Sequence, residues 1–528
     1  MDSAAAQNLV VRARAHHQSG RNTEALTIVT EALSGHPTAA AWNLRGDIHL
    51  ALGDIVAAEQ AYIEAVQREP DNAGYHHDRA RALLAGRRMA EAEDVLMTAA
   101  RLNGRAWDIM CDLGTAQLEQ GKMQMALASF TAALALKPDA AAALFNRGSV
   151  LRDLGRLDEA EAAFVSAARS APAFLPPMIS LITLMGDLGR LPEAEKWFAE
   201  AVRIAPQEPQ IHQARALALL RHGDLRGGSI AYEARFVPSR FALPVRPFTA
   251  PRWKGESLTG KSILIWTEQG IGDELLSAGM FTDVIAAAAS CTIECSERAV
   301  PLFQRSFPKA SIVARYDPPA PETQGSFDYQ IPALSLCGLL RTDMTGFPRH
   351  RGYLRADPDL TQKLRRSYRN RNPGAIVVGI AWDSAGRHGA NKRLPLEHWA
   401  PVLSQEDVVF VSLQYGAGPA TPGLKGVILD ETVDALKSLD AAAAQTAAMD
   451  MVITVSNTTA HLAGALNVPA WTLLPDGPGC LWYWFRERLD SPWYPSVRIF
   501  RQPRPGAWAP AVDEAARALV ELKAKGPL

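Results

Sequence analysis

Residues 148–172 read GSVLRDLGRLDEAEAAFVSAARSAP, and the fold of the first half of the chain follows from what recurs around them. Gly148 has counterparts at Gly46 and Gly114, Gly155 at Gly53, Gly121 and Gly189, and Ala160 at Ala58, Ala92, Ala126 and Ala194. Phe164 aligns with Tyr62, Leu96, Phe130 and Phe198. Ala167 aligns with Ala65, Ala99, Ala133 and Ala201, and Pro172 with Pro70, Pro138 and Pro206. Every spacing is 34 residues or a multiple of it. A period of that length marks stacked units, none of which can bury its apolar face alone. Small residues let two antiparallel helices approach, the aromatic fills the gap between neighbouring units, and proline starts the next helix.

The pattern resembles the tetratricopeptide-repeat (TPR) family over residues 9 to 206. An earlier unit with Ala25, Ala32 and Pro37 is offset by one residue, and the unit ending near Gly104 is degenerate. That makes about six units, followed by a capping pair from Gln210 to Arg235. The resemblance implies a protein-interaction scaffold whose concave face receives a peptide or a partner helix. The repeats alone name no partner.

The rest of the composition is restrictive in a different way. A chain of 528 residues exceeds one core and predicts several domains. A net charge of −1 offers no basic surplus for nucleic acid. No apolar stretch is long enough to span a bilayer. Met1-Asp2-Ser3-Ala4 lacks a charged segment followed by an apolar one, so no signal peptide is expected and the location expected is cytoplasmic. Cys111, Cys291, Cys295, Cys337 and Cys480 show no metal-type clustering and read as buried thiols.

Around residues 237–260 the helical period stops at Pro238, Pro244, Pro247 and Pro251, an extended linker. Short apolar runs then alternate with helical ones. The strand-like runs are Ile263 to Trp266, Cys291 to Glu294, Ser311 to Ala314 and Tyr329 to Ile331. Helices are expected over Glu274 to Ala289 and Val300 to Phe307. A second alternation follows Asn370-Arg371-Asn372-Pro373. Its strands are Ala375 to Trp382, Val408 to Leu413, Val427 to Leu429, Met451 to Val455 and Ala470 to Leu474. Its helices are Leu396 to Leu403, Val433 to Ala448 and Thr459 to Leu466. Strand–helix alternation predicts parallel sheets. The fold class is therefore an all-α solenoid (1–236), a linker (237–260) and an α/β pair of Rossmann-like lobes (261–372 and 373–528). Ligands of such sheets sit at the carboxyl ends of the strands.

Three loops lie there. Glu268-Gln269-Gly270-Ile271-Gly272-Asp273 follows a strand, and its glycines let the backbone turn close to a ligand. Asp273 is either a base or a helix cap. Thr454-Val455-Ser456-Asn457-Thr458-Thr459-Ala460-His461 gives hydroxyls, an amide and open helix N–H groups suited to a diphosphate; the alternative is a capped helix with a buried histidine. Trp382-Asp383-Ser384-Ala385-Gly386-Arg387 and Asn391-Lys392-Arg393 form a basic loop able to meet charge on a leaving diphosphate, or a solvated surface loop.

Together with Gly352-Tyr353-Leu354-Arg355-Ala356-Asp357, Phe410-Val411-Ser412-Leu413-Gln414, His461-Leu462-Ala463-Gly464-Ala465-Leu466 and Ser491-Pro492-Trp493-Tyr494-Pro495, these loops resemble the heptosyltransferase-like glycosyltransferases of the GT-B fold. In particular they resemble bacterial proteins that join such a module to N-terminal TPRs. The resemblance covers residues 225 to 508. It implies Asp273 as general base. It places Gly270, Gly272, Ser384, Lys392, Arg393, Gln414, Asn457, Thr458, Thr459 and His461 around the nucleotide-sugar donor. The family's strand-end aspartate, a sugar contact, is Ser456 here, which separates this chain from a heptose donor. No Asp-x-Asp motif follows a strand at the cleft. Asp357-Pro358-Asp359 suits a turn, so neither a metal nor a cofactor is expected, the nucleotide-sugar being a substrate. The layout also resembles protein O-glycosyltransferases of the O-GlcNAc transferase type, and flagellin before export is the acceptor this suggests. The other reading, from a different class, is a TPR scaffold with an inactive transferase-like module.

Overall fold

The computed structural model describes residues 3–239, 243–384, 392–416, 426–477 and 479–524. The chain divides into two compact units, Met1–Met178 and Ile179–Leu528. In the first, helices pair in sequence: α1 (Ser3–Gln18) with α2 (Asn22–Gly35), α3 (Ala39–Ala51) with α4 (Ile55–Arg68), and α5 (Ala73–Ala85) with α6 (Met89–Leu102). Then α7 (Trp107–Glu119) pairs with α8 (Met123–Leu136), and α9 (Ala141–Asp153) with α10 (Leu157–Ser170). The series continues through α11 (Pro176–Asp187), α12 (Leu191–Ile204), α13 (Pro209–Arg221) and α14 (Leu225–Tyr232). The fourteen helices are the six repeats and cap that the period predicts.

The recurrent glycine and aromatic have a more local role than the sequence suggests. A Cβ built on Gly46, Gly114 or Gly148 would stand 2.5, 2.7 and 2.7 Å from ring atoms of Tyr62, Phe130 and Phe164. The aromatic therefore lies on the glycine of its own pair, and only beyond that reaches the next unit, where Phe130 shares a core cluster with Ala143 and Leu144. In the third pair both partners change together, to Ala80 and Leu96, and both are fully buried. The turns within pairs place Gly53, Gly121, Gly155 and Gly189 at φ between +74° and +83°, whereas Arg87 takes this conformation in the third pair at φ +57°. That left-handed region is costly for a residue with a Cβ.

The second unit holds the last repeat helices, the cap and two parallel sheets. β1 (Ser262–Trp266), β2 (Ser290–Cys295), β3 (Ser311–Ala314) and β4 (Tyr329–Pro332) lie in the order β3-β2-β1-β4. β5 (Ile376–Ala381), β6 (Val408–Ser412), β7 (Met451–Val455), β8 (Ala470–Leu474) and β9 (Val497–Arg501) lie in the order β6-β5-β7-β8-β9. The order reverses between β1 and β4 in one sheet and between β5 and β7 in the other. Those reversals open the crevices where such sheets bind ligands. Among the linker's described residues, Arg252 forms a parallel bridge to Gln330 of β4.

Several boundaries differ from expectation. The helix expected over Glu274 to Ala289 is two, α15 (Ile271–Ala278) and α16 (Phe281–Ala287), separated at Gly279 and Met280. α17 spans Val300–Ser306, and α18 (Pro358–Arg369) is capped by Asp357, whose Oδ1 accepts from the Leu360 N–H at 2.8 Å. Val427 to Leu429 makes only an isolated bridge, Val411 to Ile428. The helix expected from Val433 starts later, as α19 (Leu439–Ala447) behind the Ser438 cap. α20 (Thr458–Ala465) follows β7, while β9 and α21 (Trp508–Ala524), unforeseen, complete the second lobe. One core cluster runs from Leu220 and Leu225 of the repeat cap to Ile263 and Leu276 of the first lobe. All five cysteines are free and buried.

Candidate functional site

Asp273 stands at the third position of α15, directly after the β1 loop. Its Oδ2 accepts from the Gly270 N–H at 3.3 Å, so it caps the helix. A cap needs one oxygen and a carboxylate has two, so cap and base are compatible roles. Burial, more than anything else, lifts the Asp273 pKa to about 6; Glu268 and Glu274 raise it further, while the Gly270 N–H and Lys392 oppose the rise. The neighbouring acid is otherwise engaged. Glu274 accepts from the Ser296 N–H (3.1 Å) and hydroxyl (2.9 Å) and pairs with Arg315 at 3.1 Å. Gly270 is the N-cap, and Gly272 is small for a reason outside its own loop. A Cβ there would stand 3.1–3.2 Å from the His461 ring.

From the second lobe, Lys392 is buried, and burial lowers its pKa while the Asp273 carboxylate works the other way. Arg393 is exposed and donates to Asp383 Oδ2 at 3.0 Å. Asp383 Oδ1 also accepts from the Ser384 N–H at 2.7 Å. Arg387 lies outside the described residues. Gln414 and Asn457 serve as framework across the β5–β7 reversal. Gln414 Oε1 accepts from the N–H groups of Trp382 (3.1 Å) and Asp383 (2.9 Å). Asn457 caps α20 by accepting from Thr459 N–H at 3.0 Å and donates its amide to the Asp383 carbonyl at 3.0 Å. Thr458 and Thr459 line a cavity of about 240 Å³ that also meets Ile271, Arg298, Tyr415 and Gln445. Arg298 reaches in from the first lobe and donates to the Ala435 carbonyl at 2.5 Å.

His461 is occupied on both sides. Nδ1 bonds the Tyr494 hydroxyl at 2.7 Å and Nε2 the Tyr483 hydroxyl at 3.2 Å. Burial, aided by Lys392, pushes its pKa down to about 3, so the ring is neutral near pH 7. It packs beneath α15 rather than presenting a cation to phosphate. Ser456, at the strand end, accepts from the Trp484 indole at 2.8 Å. Of this aromatic group the sequence reading picks out only the segment of Tyr494 and misses Tyr483 and Trp484, although the run Trp482-Tyr483-Trp484-Phe485 is their visible signal.

It foresees the repeat cap but misses what the cap does at the loop of Asp273. Arg235, buried, grips Glu268 through two bonds of 2.7 and 3.2 Å, and Gln269 donates to the Tyr232 hydroxyl at 2.7 Å. No periodicity marks these residues, because each acts once. Among the described residues, no group of three His, Cys, Asp or Glu side chains is placed to hold a metal ion. Nor is any helix there long and apolar enough to cross a membrane.

Known proteins resemble this chain in two ways. Sequence models of the tetratricopeptide repeat match residues 10–73 and 111–173, and a second such model matches residues 151–218. Protein FlbA of Caulobacter vibrioides is 34% identical over 333 residues, which cover 59% of this chain and 55% of FlbA. The chain thus spans about half the length of that curated relative. Among solved structures, a thermophilic TPR protein of Thermus thermophilus is 27% identical, with a TM-score of 0.29, covering 33% of this chain and 96% of that one. The pilF protein of Pseudomonas aeruginosa is 18% identical, with a TM-score of 0.37, covering 40% and 97%. YrrB, a TPR protein with an unusual peptide-binding site, is 19% identical, with a TM-score of 0.31, covering 36% and 98%. The N-terminal region is a tetratricopeptide-repeat array, carried on a chain similar to FlbA over more than half its length.

Proposed function

We propose that this chain is an inverting glycosyltransferase of the GT-B type, acting without a metal on a nucleotide-sugar donor and on a protein that its repeats hold. The observation that carries the reading is Asp273, with a pKa of about 6 at a strand's carboxyl end and within electrostatic reach of Lys392 from the other lobe. A general base works best when its pKa lies near the operating pH. In the step, an acceptor hydroxyl gives its proton to Asp273 while its oxygen bonds to the anomeric carbon. The bond from that carbon to the diphosphate oxygen breaks, and the nucleoside diphosphate leaves with the electron pair. Lys392 and the start of α20 meet that charge, a contribution that grows in the transition state. Arg393 is bound to Asp383 and exposed, which makes it a weaker partner. A protein acceptor, with flagellin as one example, is the partner suited to a repeat array.

A second reading has its own observation. Ser456 is closed off by the Trp484 indole, so the place of the family's sugar-contacting aspartate is filled from within. That favours a scaffold with a silent module. Mass spectrometry of proteins that co-purify with the chain, searched for glycan mass shifts, separates the two. Shifts that vanish in Asp273→Asn support transfer; partners without them support the scaffold.

A further inference from the structure

The loop that presents Asp273 is shaped from outside its own lobe. Thr267 to Gly270 joins β1 to α15, with Gln269 at φ +62°, a conformation seldom held without outside support. The support is visible. The Gln269 amide donates to the Tyr232 hydroxyl, at the last residue of α14. Glu268 is buried and forked by Arg235, from the short 3-10 turn Glu233–Phe236 that follows. Arg235 donates further to the Tyr232 carbonyl (2.9 Å), Glu233 (3.0 Å) and the Ser335 hydroxyl (2.9 Å), and it stacks on Tyr232 and Phe236 at 4.5 and 4.3 Å. Glu268 follows β1 and Ser335 follows β4, so the guanidinium fills the crevice where the first sheet reverses its order.

We propose that Arg235 and Tyr232 of the repeat cap are positioning residues for Asp273, so that the site is complete only with the cap in place. The inference rests on the transferase reading above. A buried ion pair gains little over an apolar pair of the same size, so fold stability alone does not ask for one here. Its location gives it a purpose. The groups facing Asp273 are Glu268 and Glu274 on its own segment, Lys392 from the second lobe, and the hydroxyls of Tyr232, Tyr483 and Tyr494. Arg315 answers Glu274, and Arg235 answers Glu268. Without the guanidinium, a bare carboxylate stands five residues before the base, on a loop that has lost its fork.

The test uses the full chain and needs no donor for its first arm. Asp273 is titrated through the difference in Tm between each protein and its Asp273→Asn partner across about pH 4 to 9. In Arg235→Met the midpoint should rise by about one pH unit, because the charge of Glu268 is then answered only by the more distant Arg252. In Arg235→Met/Glu268→Gln it should return to the parent value or below. Turnover on the co-purifying acceptor should stay down about tenfold or more in both, because the loop is misplaced. A folded Arg235→Met protein with the parent's midpoint and turnover overturns the proposal. If that variant does not fold, Arg235→Met/Glu268→Leu is measured instead, and parent-level turnover there overturns it equally. A shifted midpoint in a chain that transfers no sugar supports the positioning and sinks only the transferase reading.

Discussion

Asp273 carries two measurable consequences. With a folded pKa of about 6 against an ordinary value of about 3.9, the native chain holds a proton between those values that the unfolded chain has lost. Stability therefore falls as pH rises from about 4 to about 6 and stays lower above. Asp273→Asn removes the titration, so its Tm should exceed the parent's at pH 7 and the gap should close below about pH 4. The same variant should lose turnover by about 10²-fold or more with donor affinity kept. A gain in stability joined to a loss in rate is the signature of a site residue, which a plain cap lacks. Lys392→Met keeps the volume and removes the charge. We expect nucleoside diphosphate affinity to fall by about 10- to 100-fold, the range of one charged hydrogen bond. The acid limb of the rate profile should move to higher pH as Asp273 loses its cation, and titration calorimetry with pH–rate data reads both. At this scale the sequence was half legible. The positions of Asp273 and Lys392 could be read from their loops. For Asn457 and His461 the outcome, a capped helix with a buried histidine, was one of two readings the sequence left open. That Gln414 spends its amide oxygen on neighbours could not be read, because spacing shows where a side chain starts and not which partners it meets.

The repeat elements were legible almost throughout, since 34-residue recurrence is a property of the sequence itself. The missing detail was which surface each recurrent residue serves. Gly148 meets Phe164 within one pair, so Gly148→Ala adds a methyl where 2.7 Å is available. Overpacking costs about 1–3 kcal/mol and the gain in helix propensity offsets about 1, so a net loss of up to about 2 kcal/mol is expected in urea melts. Gly148→Ala/Phe164→Leu should recover most of it, because the third pair already combines Ala80 with Leu96. In the lobes, strand existence followed from short β-branched runs such as Ile376 to Ile380. The ends of α15 and α19 did not, because Gly279 and Ser438 stop and start helices through tertiary packing and a side-chain cap.

For the whole molecule, the compact units place a division near residue 178 and assign the cap to the same body as the sheets. A chain cut to residues 173–528 should therefore fold with a sharp melt of its own. One cut to 261–528 should not. It lacks Leu220 and Leu225 from a shared core, and it leaves Glu268 buried without Arg235. Circular dichroism melts of the two fragments decide this, and equal cooperativity would argue against the cap as part of the lobe. Composition at a linker rich in proline suggests a boundary at 237–260, and no local pattern reports the side chains that bridge it, Arg235 to Glu268 and Arg221 to the Cys480 carbonyl. The first unit carries a different consequence, in its third pair. There Arg87 holds a left-handed turn that glycine takes in the other pairs, and the junction to the second pair is a small cluster of Ala58, Tyr62 and Ala82. In a linear array stability is a sum of unit terms and nearest-neighbour couplings, so the pair whose own turn is held at a cost sets where the array comes apart. Amide hydrogen exchange should find residues 3–68 opening as one block and residues 107–170 as another. The chain would then present its N-terminal pairs as a separable jaw, able to swing and re-dock while the remainder stays folded.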